Sequence, residues 1–173
     1  MYLVSSKIHR RAAVIDVKNK SFESVVISSR RVSKTTKGGR KASLSVLVFI
    51  GNRNGCVGFA MGKSTDHNKA VSKAQKGAKN NLFSIYLDKN GQLENNSLYG
   101  KFSATKVVIK KGDLGTGIVG GSVAKSILEL CGFQSASCKV YGSKNKISVA
   151  KSVISALMNS CSADFVRNNL LRI

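Results

Sequence analysis

Residues 43–61 carry a strand–turn–strand signature, and it limits what the surrounding chain can become. Residues 43–50, Ser-Leu-Ser-Val-Leu-Val-Phe-Ile, are rich in apolar and β-branched side chains that suit a pleated, half-buried surface. Gly51-Asn-Arg-Asn-Gly55 follows, a run that tolerates the positive φ angles of a tight hairpin. Residues 56–61 then return as the partner strand. Just ahead of this unit, Arg31, Lys34, Lys37, Arg40 and Lys41 fall within residues 31–41 without one carboxylate. That segment reads as a flexible basic loop, in which Gly38 and Gly39 let the backbone turn sharply or approach a ligand closely. A cationic loop mounted on a rigid hairpin is suited to a phosphate backbone.

The charge balance points the same way. Lys and Arg total 29 against 8 Asp and Glu, for a net +21 in 173 residues. No fold needs such an excess, and its self-repulsion opposes compaction. A polyanionic partner accounts for it, with nucleic acid first among the candidates. No apolar run approaches the ~20 residues of a membrane span. Cys56, Cys131, Cys138 and Cys161 lack C-x-x-C pairing, and His9 and His67 lie far from them in sequence, which argues against zinc. Scattered cysteines of this kind fit a reducing compartment.

Along the chain, residues 1–20 read as a basic arm with Lys7, Arg10 and Arg11, and lack the apolar core of a secretory peptide. Residues 22–30 read as a first strand. After the hairpin, Ser64-Thr-Asp-His-Asn68 offers helix N-caps. Ala70, Val71, Ala74, Gly77, Ala78 and Leu82 then recur at helical spacing, with Lys69, Lys73, Lys76 and Lys79 on the remaining surface and no interleaved Glu. Residues 83–87 suggest a short strand, and 88–100 a polar linker. A second unit follows: a strand over 101–110, a Gly-rich turn over 112–121, a helix over 122–130, a strand over 136–141, a basic loop over 142–146 and a helix over 148–158. The residues from Ser162 read as a tail.

Enzyme motifs find little support. Gly115-Thr-Gly-Ile-Val-Gly120 matches G-x-G-x-x-G, but the acidic residue such a dinucleotide site wants about 20 positions on is missing from residues 137–142. Gly62-Lys63-Ser64 resembles the end of a P-loop, yet Val57 stands where its first glycine belongs. There is no G-x-S-x-G, and no local acid–base pair. His67 beside Asp66 reads as a polar residue at a helix start.

Four ordered blocks resemble small-subunit ribosomal protein five: Arg31-Val-Ser-Lys-Thr-Thr-Lys-Gly-Gly-Arg40, Gly51-Asn-Arg-Asn-Gly-Cys-Val-Gly-Phe-Ala-Met-Gly-Lys63, Gly115-Thr-Gly-Ile-Val-Gly-Gly121 and Tyr141-Gly-Ser-Lys-Asn145. The resemblance spans about residues 22–160 and is of the bacterial or organellar type. It implies an α+β protein of two domains. Residues 21–88 would form a double-stranded-RNA-binding-like domain, a β-sheet plus one helix. Residues 101–160 would form the family's βαβα domain with its left-handed crossover, an exception to the usual handedness. An arm (1–20), a linker (89–100) and a tail (161–173) complete the expected organisation.

The resemblance further implies a structural, non-catalytic constituent of the small ribosomal subunit that binds rRNA, lies near the messenger and influences decoding accuracy. Proteins four and eight of the subunit would be its neighbours, with no cofactor, metal or membrane. Expected rRNA contacts are Arg30, Arg31, Ser33, Lys34, Thr35, Lys37, Gly38, Gly39, Arg40, Lys41, Arg53, Lys63, Lys69, Lys73, Lys106 and Lys144. Gly117 and Lys125 fall where the family meets protein four. The chain departs from the family pattern in having no proline: Lys111 and Lys146 stand where proline is common, Ser122 replaces a glycine and Lys125 an arginine. Lysine lacks the planar bidentate contact of arginine. The expected location is the ribosome of a bacterial cytoplasm or of an organelle matrix or stroma. Two rival readings are a free double-stranded-RNA-binding protein acting off the ribosome and a nucleotide-dependent oxidoreductase built on Gly115–Gly120.

Overall fold

A computed structural model describes the backbone of residues 21–85, 87, 91–93 and 96–170, and the side chains of these except Ser84 and 160–170. The proposed basic arm over residues 1–20 lies outside the described residues. The chain is α+β, with two four-stranded sheets and three helices among the described residues. β1 (Glu23–Thr36), β2 (Gly39–Gly51), β3 (Cys56–Ser64) and β4 (Leu82–Ser84) form an antiparallel sheet in sequence order, with α1 (His67–Asn80) between β3 and β4. β5 (Ser97–Phe102), β6 (Thr105–Lys111), β7 (Ile118–Val119), α2 (Ser122–Cys131), β8 (Ala136–Gly142) and α3 (Lys146–Leu170) follow. Their sheet has the order β5-β6-β8-β7, antiparallel except for the β7–β8 pair that α2 connects.

The helix α1 has a narrow apolar stripe of Ala70, Ala74 and Ala78, packed on Val46, Val48 and Ile50 of β2. Alanines bury little area, so this contact depends on close approach of backbones rather than on large side chains. Glycines in β3 permit it: a Cβ at Gly62 would lie 2.1 Å from the Ala70 carbonyl oxygen, and one at Gly58 2.4 Å from that of Ala78. The second unit repeats the device. A Cβ at Gly100 of β5 would lie 2.2 Å from the Ser152 carbonyl oxygen and 2.6 Å from the Ala156 nitrogen of α3. There the buried Ser152 hydroxyl donates to the Gly100 carbonyl at 3.0 Å.

The other face of the first sheet is not left to solvent. Alternation along β2 sends Leu47 and Phe49 away from α1, and they join Val57, Phe83 and Ile85 in a core shared with α2, α3 and the second sheet. Phe49 stacks on Phe59 at 5.5 Å within it. The hairpin turn after β2 locks this junction. The Arg53 and Gly55 N–H groups donate to the carbonyls of Leu130 and Cys131 at the end of α2, at 3.1 and 2.9 Å. Carbonyls that a helix C-terminus leaves orphaned are thus satisfied by the other unit. Gly132, at φ +97, closes α2 in the left-handed conformation beside the Arg53 carbonyl.

Asn52 holds the turn in shape, its Oδ1 accepting from the Asn54 and Cys56 N–H groups at 2.9 and 3.0 Å. Asn52→Ala should therefore cost about 1–2 kcal/mol. Urea unfolding would show it as a lower midpoint at unchanged slope.

Several sequence expectations change. The flexible loop over 31–41 is a strand ladder, because β1 and β2 stay paired out to Thr36 and Gly39. Leu82 belongs to β4 instead of α1. Strand β5 starts at Ser97, inside the expected linker, and pairs with β6 as a hairpin, so the single strand over 101–110 is two. Gln92 and Leu93, also in that linker, are buried. The Gly-rich turn holds the short strand β7, and α3 continues through the expected tail to Leu170.

Candidate nucleic-acid interface

β3 pairs with β2 only as far as the Leu44–Ser64 pair. Beyond it β1 and β2 run on alone as a two-stranded finger, projecting roughly 15–20 Å. Nothing apolar is buried there: Arg31, Ser33, Lys34, Thr35, Lys37, Gly38, Gly39, Arg40 and Lys41 are all exposed. The tip turns at Lys37 and Gly38, where Gly39 takes φ +118 and the Thr36 hydroxyl donates to its carbonyl at 2.8 Å.

The register sorts the charges. Lys34 stands directly opposite Lys41, and Thr35 opposite Arg40. Like charges in facing positions oppose the ladder that holds them. Arg31, Ser33, Thr35 and Arg40 occupy the register face that continues toward α1, while Arg30, Lys34 and Lys41 occupy the opposite one. On that second face Arg30, Ser45 and Lys63 form one row across three strands. The finger carries no carboxylate to neutralise these cations.

The second unit reaches the base of the finger. The Arg30 guanidinium donates to Asn145 Oδ1 at 3.4 Å. Asn145 also caps α3, accepting from the Ile147 N–H at its side chain and from the Val149 N–H at its carbonyl. Lys144 is exposed beside it, so Arg30, Lys63 and Lys144 gather where the finger meets the second unit. Sequence reasoning did not pick out Asn145 as a bridge. The polar residue preceding a predicted helix was its only signal.

The remaining candidates lie elsewhere. Lys69 and Lys73 are exposed on α1, and Lys69 pairs with Asp66 at 2.9 Å. Arg53 sits at the opposite end of the sheet from the finger tip, with φ +53, and pairs with Glu23 at 2.9 Å. Lys106 projects from the outer face of the second sheet. Gly117, at φ +71, precedes β7, and Lys125 lies on α2, 3.9 Å from Glu129. Both belong to the side of the second unit formed by β7 and α2.

Burial pushes the Cys138 thiol up to about 11, which keeps it protonated and unreactive at neutral pH. Among the described residues no three His, Cys, Asp or Glu side chains gather as metal ligands, and no helix is long and apolar enough to cross a membrane. The Gly62-Lys63-Ser64 resemblance to a P-loop falls in strand β3, not in a phosphate-cradling loop.

Comparison with known proteins fits this geometry. Residues 22–86 match the model for the ribosomal protein S5 N-terminal domain, and residues 100–169 that for its C-terminal domain. The small ribosomal subunit protein uS5 of Malacoplasma penetrans is 40% identical over 136 residues, covering 79% of this chain and 58% of that protein. The uS5c protein of Cyanidioschyzon merolae is 42% identical over 78% of this chain and 88% of its own length. The uS5 of Alteromonas mediterranea is 39% identical over 84% of this chain and 87% of its own. The chain belongs to the ribosomal protein S5 family of structural, non-enzymatic small-subunit proteins.

Proposed function

We propose that the finger formed by β1 and β2, with the cations at its base, anchors this chain to small-subunit rRNA. The like-charge pair Lys34–Lys41 carries the reading, since such a ladder gains when phosphate lies between its cations. RNA helices present phosphates and sugar hydroxyls rather than readable base edges, and flexible lysines suit that surface. Lys69 and Lys73 of α1 extend the same positive field. Gly117 and Lys125 form part of the contact with ribosomal protein four, protein eight is a further neighbour, and messenger RNA passes nearby. Those neighbours, and an influence on translation accuracy, rest on the family resemblance. Bacterial and uS5c relatives support a bacterial or organellar ribosome as the host.

Sedimentation of native lysate through a sucrose gradient after a high-salt wash tests the reading. The protein should travel with small subunits, held by shape and protein contacts as well as charge. Release to the top of the gradient would favour a loosely bound RNA-binding protein acting off the ribosome.

A further inference from the structure

Both α2 and α3 pack on one face of the second sheet, through Leu98, Val107, Ile109, Ala136 and Cys138. Among the described residues, no element covers the opposite face. The alternating pattern of β5, β6 and β8 brings Tyr99, Lys101, Lys106, Lys110, Lys139 and Tyr141 onto it, all exposed. Tyr99 is 64% exposed and Tyr141 53%. Rings this open add little to the core, and a tyrosine serving only the fold would bury its apolar body.

The register interleaves rings with charges. Tyr99, Val108 and Lys139 form one row across β5, β6 and β8; Lys101, Lys106 and Tyr141 form the next row on that face. The tyrosines therefore stand on the two outer strands of this trio, diagonally placed and roughly 12 Å apart at sheet spacings. None of the residues on these rows is acidic.

We propose that this open sheet face binds a single-stranded RNA segment, with bases stacked on Tyr99 and Tyr141 and phosphates met by Lys101, Lys106 and Lys139. Duplex RNA keeps its bases stacked inside and leaves an aromatic platform nothing to take, so the finger and this face recognise different forms of the same polymer. The lysines select a polyanion, and the rings select unpaired bases within it. An acidic protein surface could also meet the lysines, but rings set at intervals among lysines match a polymer that alternates bases with phosphates.

The chain has no tryptophan and four tyrosines, so the part of the intrinsic tyrosine fluorescence that is lost in the Tyr99→Phe and Tyr141→Phe variants reports on these two rings. The full-length protein would be titrated with a uridine decamer and, separately, with a blunt RNA duplex. The decamer should quench the fluorescence. Tyr99→Leu and Tyr141→Leu should each weaken decamer binding about tenfold, with duplex affinity unchanged. Tyr99→Phe and Tyr141→Phe, which keep the ring, should retain it. Lys34→Gln with Lys41→Gln should show the reverse, losing duplex and keeping decamer affinity. That pattern also separates failure of this proposal from failure of the finger reading. Decamer affinity unchanged by both leucine variants would overturn the proposal. Loss of decamer binding in the finger variant alone would overturn it as well.

Discussion

Replacing Lys34, Lys37, Arg40 and Lys41 together with glutamine should lower the affinity of the protein for small-subunit rRNA about a thousandfold at 0.1 M salt. The slope of log affinity against log salt should become shallower by roughly 3–4, close to one unit for each phosphate no longer neutralised. The four side chains are exposed and none takes part in a described ion pair, so the fold does not depend on them. Removing the facing Lys34 and Lys41 charges should even raise the melting temperature slightly, since like charges opposite one another weaken a ladder. Affinity and stability would then move in opposite directions, a signature that general unfolding cannot produce. Filter binding across a salt series, with thermal melts alongside, measures both. A variant that binds as the parent does would show that the finger is not the anchor.

Gly62→Ala should destabilise the protein by about 3 kcal/mol or more, a large share of a typical total of 5–15 kcal/mol. The added methyl would lie 2.1 Å from the Ala70 carbonyl oxygen and 2.7 Å from the Ala74 nitrogen. Both are backbone atoms of α1, so no side chain can rotate away; the helix itself must lift from the sheet. Lifting it separates Ala70, Ala74 and Ala78 from Val46, Val48 and Ile50, the whole of that small core. It also displaces Lys69 and Lys73, so rRNA affinity should fall with stability. Gly38→Ala supplies the contrast. A Cβ there meets nothing within 4 Å, and its stability should stay within about 0.5 kcal/mol of the parent. Urea unfolding of both variants measures the difference, and equal midpoints would mean that α1 does not depend on the close approach at Gly62.

These two sites also show which parts of the architecture can be read from residues alone. The alanine spacing of α1, the turn at residues 51–55 and the strand at β8 follow from periodicity and turn chemistry, because each buries one face and exposes another. The finger does not. Arg31-Val-Ser-Lys-Thr-Thr-Lys-Gly-Gly-Arg40 has no apolar alternation, since neither of its faces meets a core. Its ladder is held by backbone hydrogen bonds in register with the buried part of β1 and β2, which sequence patterns do not record. Strand β5 was hidden differently: Ser97, Tyr99 and Gly100 look like linker residues, yet Gly100 is needed for contact with α3. The cations of the site were legible as charge. That Arg30, Lys63 and Lys144 converge was not, because it depends on the second unit packing against the first.

The shared core sets an order of events during synthesis. Leu47, Phe49 and Val57 emerge well before α2 and α3, which complete their burial. At 5–20 residues per second the roughly one hundred intervening residues take roughly 5–20 seconds to make. Through that interval the nascent first sheet can fold on α1 while its other face stays wet, apolar and without its eventual cover. The growing chain is then at its stickiest, and also already strongly cationic. Stray RNA could hold it by the finger, and stray protein by the uncovered sheet. Completion of the second unit closes one of those two hazards; only arrival at the ribosome closes the other.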